Sequence, residues 1–226
     1  MTSRPIAAAL AALAIGFNLP FQQLALTFDY PGILRAEPSV ILDRFAAGGP
    51  ALILTWYAFA LSALMFLPVG MAHAMGVGRI AQFPALATAA AITAALAGLT
   101  QAMGLLRWVM VVPGLAASGD VEGFALIHAF GGVALGENLG QTLTAAHVGL
   151  IALMQRQEGR GLTAGLGALT TLLILAGSLE GVALAIGTAG QTFGLLAVAG
   201  YLALTFWMLA SALGLAGLRA TRRQPA

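Results

Sequence analysis

Three ionisable side chains interrupt long apolar runs: Arg107 in QAMGLLRWVMVVP, Glu137 in GVALGENLGQ and Glu180 in LILAGSLEGVALA. A charge in such a run is costly in hydrocarbon, so each marks an internal ion pair or a functional centre. Two chemistries follow. In one, Arg107 pairs with Glu137 or Glu180 as a structural clamp, and the amides Asn18, Gln22, Gln101 and Gln141 satisfy the remaining lone pairs. In the other, the second glutamate faces an outward-open cavity, where it binds a cation or carries a proton while Arg107 acts as anion clamp or counter-ion.

The histidines admit a third chemistry. His73 and His147 fall near the same membrane boundary and could ligate a haem or a metal ion, since imidazoles on facing helices are good axial ligands. His128 with Glu137 and Glu180 could form a His/carboxylate metal site. The plainer reading, histidines bonded to water or backbone, competes with both, and the sequence points first to no cofactor. With no cysteine, disulfides, thiolate metal sites and cysteine catalysis are excluded. No phosphate loop, HExxH pair, dinucleotide fingerprint or GxSxG elbow occurs.

These residues need helices to position them. Sixty per cent of the residues are hydrophobic and only 8 % charged, which rules out a soluble domain beside the apolar part. A helix needs about 20 apolar residues to cross a hydrocarbon core, and that ruler gives six spans. They run over 6–26, 50–72, 83–106, 123–154, 162–187 and 192–218, with a basic tail at 219–226. The third could continue to Ala117, bent at Pro113. The start, MTSRPIAAALAALAIG, reads as the first span rather than a signal peptide, because no turn-like cleavage region follows it. Between spans one and two, residues 27–49 read as an outer loop on the headgroups. Val40, Ile41 and Phe45, alternating with Asp43 and Arg44, admit a short interfacial helix there.

Arginine placement orients the bundle. With both termini in the cytoplasm, Arg4, Arg79, Arg156, Arg160, Arg219, Arg222 and Arg223 are inside. Arg35 and Arg44 fall outside, beside Asp29, Glu37 and Asp43. A rise of about 1.5 Å per residue then sets Arg107 about 35 Å, Glu180 about 27 Å and Glu137 about 25 Å from the cytoplasmic side. Asn18, Gln22 and Gln101 fall at about 20–26 Å, so the polar groups gather in the outer half. At about 100° per residue, Glu137, Gln141 and Thr144 share a face of span four. His128 points away from Glu137 unless Gly131-Gly132 changes the helix. Gly132, Gly136 and Gly140, four residues apart, form a packing stripe, within the chain or between protomers.

Several stretches together carry a likeness: FDYPGILR and DRFAAGGP in the outer loop, WYAFALSAL, QAMGLLRWVMVVP and GVALGENLGQ. They resemble family 4386 of the domains of unknown function, an uncharacterised group of bacterial integral membrane proteins. The likeness spans most of residues 28–150 and fades in the last two spans. The family's fourth-span motif has histidine where this chain has Asn138. The resemblance implies a six-helix bacterial membrane protein and supplies no activity.

The reading is an all-α, polytopic bundle of six transmembrane helices in the bacterial inner membrane, one domain over residues 1–226. Its expected function is binding or transport of a small polar molecule or ion. The alternatives are a haem- or metal-binding redox protein using His73, His147 and His128, and a non-catalytic partner or sensor subunit docking through the glycine stripe. Expected partners are the lipid bilayer, a small ligand, and a second copy or another membrane protein. Ten basic residues scattered against eight acidic ones leave no basic face for nucleic acid.

Overall fold

Proline, glycine and short polar turns divide the chain into long helices. The computed structural model describes residues 3–221. The side chain of Arg219, and all of Arg222 and Arg223 in the expected basic tail, lie outside the described residues. Among the described residues the fold is all-helical, with no strand. Helix α1 is Ser3–Phe28, α2 is Pro38–Met75, and α3 is Pro84–Met110, resuming after one residue as Val112–Ser118. Helix α4 covers 121–157, α5 is Gly161–Ser178 with a continuation Glu180–Ala185, and α6 is Gln191–Thr221.

Among the described residues, five helices are long and apolar enough to cross a membrane: Ser3–Phe28, Pro38–Met75, Pro84–Ser118, Gly161–Ala185 and Gln191–Gly217. Helix α4 is the more polar one, made of Val121–Ile127, a π-helical stretch His128–Leu139 and Gly140–Gln157. Each helix packs on its neighbours in sequence, and α6 closes the ring against α1.

The outer loop departs from expectation. A helix starts at Pro38, where the missing N–H suits the first turn, and runs to Gly48 before the chain bends at Gly49. Gly49 has φ +58° and ψ −159°, a conformation that needs glycine, and Pro50 restarts the helix. Ile41, Leu42 and Phe45 lie on one face of this arm and are buried, while Asp43 and Arg44 are exposed. The segment is therefore a packed helical arm, because its apolar residues recur at helical spacing and find Phe28 and Trp108 beneath them.

Two apolar cores result. One, around Leu10, Ala94, Val148, Ile174 and Trp207, fills the ring towards the α2–α3 and α4–α5 connections. The other is aromatic and fills the opposite end, where Trp56 stacks on Trp108 with centroids 4.8 Å apart and planes at 11°. A backbone repair near their junction shows how local sequence is served. Pro20 in α1 leaves Gly16 without its helical N–H partner, and Ser62 Oγ of α2 lies 2.7 Å from that carbonyl.

Candidate functional site

The site begins with the link between α1 and α2. After Phe28 the chain turns through Asp29 to Gly32 and forms a single 3-10 turn, Gly32–Arg35. Ile33 N–H bonds to Asp29 O and Leu34 N–H to Pro31 O. The side chains of Ile33 and Leu34 are buried, which seats the turn on the bundle and carries Arg35 over its mouth.

Arg35 spans two helices. Its Nε and Nη2 each lie 2.9 Å from Glu180, on Oε1 and Oε2, and Nη2 lies 2.5 Å from Glu137 Oε2. The side chains are 30 %, 13 % and 21 % exposed, so the cluster sits at the rim rather than deep inside. Burial works against the Arg35 charge, but the bonds from Glu180 and the charge of Glu137 outweigh it and raise the guanidinium above its ordinary pKa. Tyr30, on the same loop, is pushed above the ordinary phenol value by burial and then by Glu137.

The expected Arg107 clamp is therefore corrected: both glutamates are held by Arg35, a residue from the link between α1 and α2. Arg107 pairs with no carboxylate among the described residues. It is 6 % exposed, donates from Nη1 to Gly104 O of its own helix, and has its Cζ 5.0 Å from the Trp108 ring centroid. Its position in the last turn of Pro84–Met110, at the negative end of the helix dipole, favours a cation there. Its Nη2 lies 3.3 Å from His128 Nδ1, and His128 Nε2 lies 3.1 Å from Leu34 O. A carbonyl can only accept, so Nε2 carries the proton and Nδ1 accepts from Arg107.

The π-helical stretch explains why His128 and Glu137 reach the same region. Nine residues make about two and a half turns of α-helix, which would oppose them. Wider π turns with i→i+5 bonds bring the same nine residues to roughly two turns, restoring one face. The bond from Gly140 N–H to Leu135 O belongs to this pattern. Gly131-Gly132 thus changes the phase by widening the helix, not by breaking it. Glycine is also required by the approach of α3. A Cβ on Gly132 would come within 2.5 Å of Arg107 Nη2, and one on Gly104 within 2.8 Å of Gly136 Cα. Gly140 likewise faces Gln101. Gly132 and Gly140 are buried and Gly136 is half-buried, and all three face this chain's own α3.

Asn18, Gln101, Arg107, Glu137 and Gln141 all line one cavity of about 120 Å³ between the two apolar cores. Phe17, Phe21, Tyr30, Trp56, Phe59, Trp108, Tyr201 and Thr205 complete much of its wall. Asn18 Nδ2 donates to Thr205 Oγ1 at 2.9 Å, and Gln101 Nε2 to Thr144 Oγ1 at 2.5 Å. Gln22 does not join them, being exposed on the opposite side of α1 from the buried Leu24 and Phe28. Glu180 stays at the rim with Arg35. Asn138 Nδ2 donates to Ser178 O at 2.8 Å, capping the carbonyl freed where α5 breaks.

The aromatic wall and Arg35 were missed from sequence. The signal for Arg35 was present as a charge imbalance, since two acids within the apolar runs for one arginine leave one acid short of a cation. For the wall, Trp108 stands next to Arg107.

His73 and His147 come to the same layer, each packed on Trp207, with centroids 5.5 and 6.4 Å away. His147 Nδ1 bonds to Ala90 O at 2.8 Å, and neither nitrogen of His73 has a partner. No group of three or more His, Asp or Glu residues placed to hold a metal occurs among the described residues, so His128 does not complete a carboxylate metal site.

Comparison with family models, with curated proteins and with solved structures gives no match.

Proposed function

We propose that the chain is a six-span protein of a bacterial inner membrane that binds or transports a small polar molecule or ion through the cavity beside Arg107. Helix α4 is taken as the sixth span, its polar residues turned towards the interior. Both termini are placed in the cytoplasm, with the Arg35 rim outside, on the strength of the arginine distribution. The likeness of residues 28–150 to family 4386 of the domains of unknown function belongs to the same proposal.

One observation carries the reading. A buried arginine without a carboxylate partner lines a cavity that also holds Gln141, whose Oε1 is buried and unpartnered. Buried polar groups without partners are costly, and a structural clamp has no use for them.

The chain lacks cysteine, so single-cysteine variants report access directly. A Gln141→Cys variant is expected to react with a small water-soluble thiol reagent applied to the outer face of intact cells. Gln155→Cys, in the opposite core, is expected to stay unreactive from that face. Reaction of Gln141→Cys from both faces marks transport, and from the outer face alone marks binding. No reaction from either face defeats the proposal.

A further inference from the structure

We infer that the ligand of this cavity is a small monocarboxylate with a compact apolar body, anchored by Arg107. This deepens, and rests on, the binding reading above. Four buried polar atoms without a hydrogen-bond partner belong to residues lining the cavity: Arg107 Nε, Trp56 Nε1, Trp108 Nε1 and Gln141 Oε1. Three of these can only donate, and one can only accept. A cation or an ammonium group would leave the three donors unsatisfied and add charge beside Arg107. An acceptor-rich anion meets the three donors and balances the charge of Arg107, leaving only Gln141 Oε1 without a donor.

The two glutamates do not offset this. Arg35 already holds Glu137 at 2.5 Å and Glu180 at 2.9 Å, so the guanidinium still short of an acid is Arg107. As the walls stand, the unpartnered atoms are covered by their neighbours, so binding requires Arg107 to change rotamer. Its bond to His128, at 3.3 Å, is long enough to yield.

Size and lining narrow the anion. An engineered cavity of about 150 Å³ accepts benzene, so about 120 Å³ suits a ligand of roughly six non-hydrogen atoms. Phe17, Phe59, Leu105 and Met208 make most of the remaining wall apolar. Phosphate or sulfate, polar on every side, would press charge against those rings. A carboxylate presents its acceptors at one end and hydrocarbon at the other.

The test uses the full chain in detergent with isobutyrate as probe and its uncharged counterpart isobutyramide as control. Tryptophan fluorescence reports binding, because two of the three tryptophans line the cavity, and titration calorimetry checks it. Isobutyrate is expected to bind saturably, and isobutyramide at least about tenfold more weakly, the loss of one charge-assisted hydrogen bond. Arg107→Gln is expected to erase that preference. Equal binding of acid and amide, an unchanged preference in Arg107→Gln, or no binding of isobutyrate overturns the inference. The acid–amide comparison stands on the native protein, whatever the variant does to folding. Failure here with Gln141→Cys still reachable from outside removes the carboxylate class alone; an unreachable Gln141→Cys removes the site itself.

Discussion

The two ends of the bundle each carry an arginine–glutamate cluster built from the same residue types, and they do different things. At the end holding the α2–α3 and α4–α5 connections, Arg79 is completely buried and fully used. Its Nε and Nη2 meet the two oxygens of Glu158 at 2.6 and 2.9 Å, and Nη1 donates to His73 O at 2.8 Å. Arg160 adds a second cation 3.6 Å from the same carboxylate. At the opposite end one arginine serves two acids, a second has none, and a cavity lies beside it. Ion pairing is common to both ends. Unpartnered buried atoms occur at both ends, on His73 and Arg160 at the first, but those of the second belong to residues lining a cavity, which marks that end as the site and leaves the first as a fastener.

That contrast breaks most visibly at Arg79. Replacing it with methionine strands Glu158 and should cost about 3 kcal/mol, the low end for breaking a buried pair because Arg160 remains nearby. Thermal melting in detergent should fall by about 10 °C. An unchanged melting temperature would mean that the closed end is not a fastener.

A smaller effect sharpens the description of the site's floor. Gly104→Ala puts a methyl 2.8 Å from Gly136 Cα and 2.9 Å from Gly131 O, backbone atoms that have to move. Overpacking of that kind costs about 1–3 kcal/mol. Gly136→Ala meets nothing closer than 3.5 Å, so better helix propensity should leave it neutral or slightly more stable, by up to about 1 kcal/mol. Equal melting of the two variants would show that α3 and α4 do not approach as described.

Much of the frame was legible in the sequence because hydropathy and helix length are local properties. The apolar runs became long helices with ends within a few residues of those expected, except at Pro38, where α2 starts early, and at the end of α3, which takes the longer course open to it and resumes to Ser118. The arm from Pro38 was harder to read, since its buried face exists only when Phe28 and Trp108 are beneath it. Depth and phase gathered Asn18, Gln101, Arg107, Glu137 and Gln141 on one interior, and these five line the cavity. Gln22, one turn from Asn18 on α1, follows the same arithmetic but faces outward, because α1 has no neighbour on that side. Arg35 was read as a boundary charge, since a loop residue carries no phase. Only the buried Ile33 and Leu34 turn its side chain inward. His128 comes with the Gly131-Gly132 exception in the sequence, but a uniform α-helical phase cannot say that the change is a π-helical stretch.

The account's central claim, that Arg107 belongs to the function and Arg79 to the fold, is tested most directly by melting Arg107→Met beside Arg79→Met. Methionine at 107 removes an unpaired buried charge along with its bonds to Gly104 and His128. These effects should nearly cancel, leaving the melting temperature within about 3 °C of the native protein. A fall of about 10 °C, matching Arg79→Met, would make Arg107 a structural clamp and contradict the account.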